Sequence, residues 1–477
     1  MIDKIENKKQ EEQLVVIREF NPERDIEVVG KLEKNCEMDM LPGWSNNNTN
    51  FNNDNNIIIN SNKKRVSSLL TNMMAEDPLC RIRLYAVHVM LVAELRENGE
   101  LVGVVRGCIK CVGTKFGFGE RETNYLKLGC ILGLRVSPSH RCMGIGFSLV
   151  KSVEEWMMRN GAHYTFLATE KSNVASTNLF TTKCNYINFA SLVIFVHPVL
   201  GTSSSSSSSN LSSHDHQDNI KIEKLHIEQA ISLYNNRLRS KDMYPTDIDS
   251  ILKEKLSLGT WVSYFKEEDK EWLINNNGDH DHDHDDFVTK TPSSWVVFSV
   301  WNSCEAYKID HNRNKQSISH PLKFFHATLS HAKEKIFPRL KMPILSCSSS
   351  SGGGGGGGDS GSIGSPFGFL FLYGLYGEGE RLGELMKSVM RFASRLAENV
   401  KHCKVIMTEL GVSDPLIEHV PQEPSISCIQ DLWYLKKMKG VAAADRDRDR
   451  HNDIDDDDDE LMMMGQIGNV FVDPRDF

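Results

Sequence analysis

Two hydrophobic rhythms run through the first 200 residues. Apolar or alternating runs predict strands at "LVVIREF" (14–20), "VMLVAEL" (89–95), "LVGVVRGCIKCV" (101–112), "LKLGCILGLRV" (126–136), "AHYTFLATE" (162–170) and "YINFASLVIFVHPV" (186–199). The turn "RENGE" (96–100) joins the second and third as a hairpin. The run 126–136 is apolar on both faces, which suits a central strand. A helical rhythm fills the gaps. Residues 21–37 open on a cap-like Asn21 with Pro22 in the first turn, and Ile26, Val29 and Leu32 form one stripe. Leu149, Val150, Val153, Trp156 and Met157 form a second stripe, ending near Asn160, with Gly161 placed as a helix C-terminal glycine. "NVASTNLFTTKC" (173–184) reads as a third helix.

The second half repeats part of this rhythm. "WVVFSVWN" (295–302) reads as a strand, and "FGFLFLYGLYGEGERLGELMKSVMRFASRLAE" followed by "CKVIMTELGVSDPL" repeats the layout of residues 128–175. The expected class is α/β, a mixed central sheet with flanking helices, followed by a second, degenerate unit of the same plan. Low-complexity stretches set the expected boundaries: a polar start at 1–13, a domain over 14–200 and a Ser-rich linker at 201–219. A second domain follows over 220–440, with insertions near 275–290 and 346–362, and then an acidic tail over 441–477 ending in "FVDPRDF".

Charge and cysteines narrow the class. The net charge of −9 argues against general nucleic-acid binding, although the tail 445–460 supplies much of it. The N-terminal residues hold no apolar signal segment, and no run is long and apolar enough to cross a membrane. Eleven scattered cysteines suit reduced thiols and an intracellular setting, nuclear or cytoplasmic. Cys108 and Cys111 lie three apart on one strand and so on opposite faces, and the His–Asp alternation at 275–286 has no fixed framework; no metal site is expected.

The chemistry concentrates in "LGLRVSPSHRCMGIGFSLVKSVEEW" (132–156). An apolar strand leads through Arg141, Gly144 and Gly146 into a helix. A helix N-terminus offers unpaired amides and partial positive charge. Glycines let a ligand reach the backbone, and Arg141 adds a cation; together these suit a pyrophosphate. The other reading is an ordinary strand-to-helix turn. A dinucleotide fingerprint needs a third glycine where Leu149 stands, and the Gly-Lys-Ser/Thr of a Walker loop is absent.

"RCMGIG" between strand and helix, in the order β-α-β-β-β-α-β-α-β, resembles the GCN5-related N-acetyltransferase (GNAT) superfamily over residues 14–199. "LGLRVSPSHR", "ATEKSNVASTNLFTTKCNY", "SSWVVFSVWN" and "FVDPRDF" are similar to the plant HOOKLESS-type N-acetyltransferases, implicated in hormone-dependent differential growth. The resemblance implies acetyl-CoA as co-substrate. It implies pantetheine along Leu134, Arg135 and Val136, and pyrophosphate on Arg141, Cys142, Met143, Gly144, Ile145 and Gly146. Asn173 and Phe180 fall at the family's next cofactor-contacting positions, and the Val136 N–H at its oxyanion donor. The implied partner is a protein amine, with no sequence-specific nucleic acid and no membrane.

One departure stands out. The family's Tyr, which protonates the leaving thiolate, is Phe180 here, and Tyr186 lies six residues on. Glu170 is the candidate general base; its competing roles are a cap for the helix near Asn173 or a solvent-facing side chain. His140, His163 and Cys142 are weaker candidates. A catalytically silent binding protein and a small-metabolite transferase remain as alternatives.

Overall fold

A computed structural model describes residues 15–38, 72–73, 78–79, 82–115, 124–199, 219–267, 292–306, 308–309, 367–422, 426–438 and 467–476. The expected start at 1–13, nearly all of the linker 201–219, the 275–290 and 346–362 insertions and the acidic run 445–460 lie outside the described residues.

The strands are β1 (Val15–Glu19), β2 (Val87–Leu95), β3 (Leu101–Thr114), β4 (Asn124–Val136), β5 (Tyr164–Glu170) and β6 (Ile187–Pro198), then β7 (Ile220–Lys224), β8 (Ser257–Phe265), β9 (Trp295–Asn302), β10 (Gly368–Glu378), β11 (Cys403–Gly411) and β12 (Ser427–Lys437). The helices are α1 (Pro22–Met38), α2 (Ile145–Arg159), α3 (Val174–Asn178), α4 (Ile227–Arg237), α5 (Ile248–Lys253) and α6 (Leu382–Glu398). All twelve strands join one mixed sheet in the order β1-β2-β3-β4-β5-β12-β6-β11-β10-β9-β8-β7, with Met243–Pro245 pairing off β3.

This order reads alike from both edges. Each half contributes an antiparallel run, β1 to β4 or β7 to β10, and then one parallel pair, β4–β5 or β10–β11. The closing strands are exchanged. β12, from the second half, lies between β5 and β6, and β6 pairs with β11 of the second half. The repeat expected from residues 295–416 is therefore a second copy of the same topology. β6 is interior to the sheet and each of its faces lies under a core, Leu192, Ile194 and Val196 on one side and Val193 and Phe195 on the other, which explains why it is apolar on both faces.

Each face of the sheet carries its own core. On one, α2 covers Leu91, Val105, Ile131 and Leu167, and α6 covers Phe298, Leu372 and Ile406. On the other, α4, α5 and residues 467–476 pack on strands of both halves, burying Phe166, Trp433, Phe371 and Phe471 together, while α1 covers β2 and β3. The end of the expected acidic tail is thus part of the core. Asp476 bonds Tyr85 and Lys110, and Arg475 pairs with Asp473 and with Asp247 of the second half, each at 2.7 Å.

Candidate functional site

β4 and β5 run parallel but pair only at Leu128–Tyr164, Gly129–Thr165 and Cys130–Phe166. Beyond that point they part. A bulge on the far edge of β4 turns it aside: Arg106 aligns with Leu132 and Val104 with Arg135, so Val105 faces two residues. Gly133 sits in this bulge at φ +56°, where a side chain is strained. The fully buried Arg106 backs it, donating to Pro78 O at 2.8 Å and Glu33 Oε1 at 2.6 Å; a Cβ at 133 would stand 2.7 Å from its Nη1. Neither residue was expected to shape the site. The signal available was the glycine inside an otherwise apolar strand.

Leu134, Arg135 and Val136 form the half-buried wall of the parting. Ser137 N donates to Val102 O at 2.8 Å, so the alternation of an antiparallel ladder turns the Val136 N–H to the other edge, toward the parted β5. Arg141 follows, exposed, with its Nε 3.4 Å from Val136 O. Cys142 and Gly144 take left-handed backbone conformations, φ +63° and +80°. The chain then enters α2 at Ile145 with no side-chain cap. Met143 is 47% exposed, whereas the Ile145 side chain is buried, leaving only its backbone to face a ligand.

This loop fits an anionic group. It carries no acid, its helix start keeps unpaired amides, and a Cβ at Gly144 would meet nothing within 4 Å. At Gly146 a Cβ would make ordinary contacts with Leu179 and Val136 at 3.5 and 3.6 Å, so packing does not require that glycine.

The expected third helix is shorter than its sequence run. α3 ends at Asn178, and Leu179–Lys183 form a single wide turn closed by Cys184 N donating to Leu179 O. Asn173 caps α3, its Oδ1 accepting from Ser176 N at 3.1 Å. That excludes Glu170 as the side-chain cap; its carboxylate accepts from Ser172 Oγ at 3.2 Å. Phe180 requires a correction. It is 3% exposed and meets Tyr186 edge-on at 5.3 Å inside the core, so its ring has no surface for a cofactor. Tyr186 is no substitute acid: its hydroxyl donates to Glu154 at 2.9 Å, and burial pushes its pKa well up. His140 stands at the end of the loop's short 3-10 turn, bonded to Ser139, and His163 Nδ1 accepts from Lys127 N. Cys142 is exposed. Cys108 is buried and Cys111 exposed, as opposite faces require.

Glu170 ends β5 on the face opposite α2, directly across from Asp431 of β12. The exchanged strand is tied to α2 as well: Lys436 of β12 donates to both oxygens of the buried Glu154, at 2.8 and 2.9 Å.

A parallel strand pair that parts beside an open, glycine-bearing helix start is the layout of an acyl-CoA-dependent transferase. The acetyltransferase (GNAT) family matches residues 70–186, a span that contains β2 to β5, α2 and α3 and ends at the residue before β6. The chain is 34% identical over 438 residues to "Probable N-acetyltransferase HLS1" of Arabidopsis thaliana, covering 89% of this chain and 93% of that one. It is 32% identical to "Probable N-acetyltransferase HLS1-like" of the same plant, covering 89% and 92%, and 29% identical to "Acetyl transferase GW6a" of Oryza sativa subsp. japonica, covering 89% and 91%. The chain belongs to the GNAT acetyltransferases, as a probable N-acetyltransferase of the kind found in these plants, and acetyl-CoA is its co-substrate.

Proposed function

We propose that the chain moves the acetyl group of acetyl-CoA onto an amine of a protein, in the opening between β4 and β5. The observation that carries this reading is the early end of the β4–β5 ladder beside an uncapped helix start. The amides from Cys142 to Gly146, with Arg141, hold the pyrophosphate. Leu134 to Val136 line the pantetheine arm, and Asn173 closes its far side through its side-chain nitrogen. The Val136 N–H serves the developing oxyanion. Glu170 takes the proton of the acceptor amine. No phenol serves the departing thiolate, because Phe180 is a core residue; the thiolate leaves unaided.

A second half of this size supports a macromolecular acceptor over a small metabolite. The HOOKLESS-type resemblance supports a role in hormone-dependent differential growth, with the protein in the nucleus or cytoplasm. Isothermal calorimetry with acetyl-CoA, followed by thiol release with a lysine-rich peptide, tests the reading. Saturable binding and peptide-dependent thiol release are expected. Binding without release would favour a catalytically silent binding protein, and a folded protein that binds nothing would overturn the proposal.

A further inference from the structure

Three carboxylates stand in a row where the two halves exchange strands. Asp431 of β12 faces Glu170 of β5 across the ladder. Asp431 also aligns with Leu192 of β6, and Glu409 of β11 with Ile194, two positions along, so both project from one face of the sheet. Ala168 shares this face with Glu170 and is exposed among the described residues, although β5 lies deep inside the sheet. The row therefore borders an opening.

Its members are buried to different depths. Glu170 is half-buried, Asp431 is 7% exposed and Glu409 is 6% exposed. Glu409 Oε1 is shut off from water and meets no hydrogen-bond donor. Burial first, and then the neighbouring Asp431, push the Glu409 pKa well up, so Glu409 keeps its proton and donates it toward Asp431. Burial pushes Asp431 up to about 7; the bond from Glu409 works against that rise and the charge of Glu170 works with it. Among the described residues, Asp476 of the C-terminal segment adds to the rise of Glu409, and Lys110 of β3 is paired to Asp476.

We propose that Asp431, carried into the first half by the exchanged strand, is a positioning residue that shares with Glu170 the proton taken from an ammonium acceptor. This rests on the transferase reading of the β4–β5 opening. The ammonium gives one proton to the Glu170–Asp431 pair. The freed amine attacks the thioester carbonyl carbon; a C–N bond forms and the C–S bond breaks. The nitrogen's next proton passes through solvent to the sulfur, giving amide and thiol, and the pair returns its own proton to solvent. Glu409, already protonated, keeps the row from holding three charges. The acceptor class that suits such a row is a primary ammonium, drawn in by the carboxylates and neutralised before attack.

The test uses the full chain with Asp431→Asn and Asp431→Glu. Infrared spectroscopy follows the protonated-carboxyl band across neutral pH with neither acetyl-CoA nor acceptor present. The wild type is expected to lose a carboxyl band near neutrality, a step missing from Asp431→Asn. Acetyl-CoA affinity by calorimetry should match the wild type in both variants. With a lysine-rich peptide, kcat of Asp431→Asn should fall about a hundredfold at neutral pH. Its rate should keep climbing with pH where the wild type levels off, and Asp431→Glu should restore part of it. If Asp431→Asn does not fold, Asp431→Glu decides: a displaced pH profile supports the role and an unchanged one overturns it. An unchanged kcat and pH profile in Asp431→Asn, or a wild-type band that titrates wholly in the ordinary carboxylate range, also overturns it. Failure of the transferase reading looks different: the wild type would acetylate no peptide in any state of Asp431, and the role would fall with it.

Discussion

The chain builds one strand–loop–helix unit twice and opens only one copy. β4 and β10 each bulge at a left-handed glycine, Gly133 at φ +56° and Gly374 at φ +64°, and each leads into an amphipathic helix. From β4, eight residues (137–144) reach α2 and leave its start exposed and uncapped. From β10, three residues (379–381) reach α6, and the second half's own groups fill the space. Arg381 N donates to Ser294 Oγ at 3.3 Å, and the Arg381 guanidinium lies 3.6 Å from the Phe265 ring centre. Glu378 pairs with Arg237 at 3.1 Å. The scaffold thus supplies a helix start in both halves, and the length and chemistry of the loop decide whether that start is left open or filled by the fold.

Glycine substitutions give the largest test of that contrast. Gly144→Glu puts a carboxylate and a strained φ of +80° into the open loop. Calorimetry should show acetyl-CoA affinity falling by more than about a hundredfold, with the thermal midpoint little changed. Gly379→Ala should do the reverse. Its Cβ would stand 2.1 Å from the Ser293 carbonyl oxygen, so backbone must move, at a cost of about 3 kcal/mol in denaturant unfolding. Acetyl-CoA affinity should be kept. Equal ligand effects at both glycines would break the contrast.

The exchange point carries the next effect. Asp431 is raised from an ordinary carboxylate value to about 7, chiefly by burial. Between those limits the folded state holds a proton that the unfolded chain has released, so stability is greatest below the window and falls as pH rises through it. Denaturant unfolding on either side of the window should show a loss on the order of 2 kcal/mol, smaller in Asp431→Asn but not abolished, because the buried Glu409 still holds a proton in the folded state there.

Much of the first half was legible in the sequence because its signals are local. The strand expected at 126–136 is observed at Asn124–Val136, the helix expected to end near Asn160 ends at Arg159, and Gly161 has the left-handed φ of +80° that its position implied. The strand-to-helix turn at Gly144 was legible for the same reason. What escaped depends on partners distant in sequence. Nothing local in "CIQDLWYLKK" says that it will insert beside residues 164–170, so Asp431 and Glu409 were not linked to Glu170. Arg106 was not singled out, because the bulge it supports lies on another strand, β4. Phe180 was expected at a cofactor-contacting position, but the wide turn at Leu179–Lys183 and the edge contact with Tyr186 turn it into the core, which a regular helical rhythm does not foretell. The tail was read by its charge, and its last ten described residues, with Val470, Phe471 and Val472 buried, lie inside the core instead.

The two loop arginines separate ligand from fold more gently. Arg141→Ala should weaken acetyl-CoA binding about tenfold, more at low salt than at high salt, because an exposed cation acts through a screened field. Arg381→Ala removes a guanidinium from the Phe265 face and from Glu384, at 3.0 Å, and should cost about 1 kcal/mol of stability with no change in affinity.

The smallest effect is the most discriminating. In α2 a Gly146→Ala methyl has room, 3.5 Å from Leu179 and 3.6 Å from Val136, and alanine favours the helix by about 0.5–1 kcal/mol. If this glycine only turned the chain, the substitution would raise the thermal midpoint and leave the ligand alone. Gly144, with its positive φ, already makes the turn, so on the proposed reading the absence of a side chain at 146 leaves room for the ligand. The expected result is a protein slightly more stable than the wild type that binds acetyl-CoA a few-fold more weakly. A stabilised variant with wild-type affinity would remove Gly146 from the cradle and leave the pyrophosphate to Arg141 and the amides around Gly144.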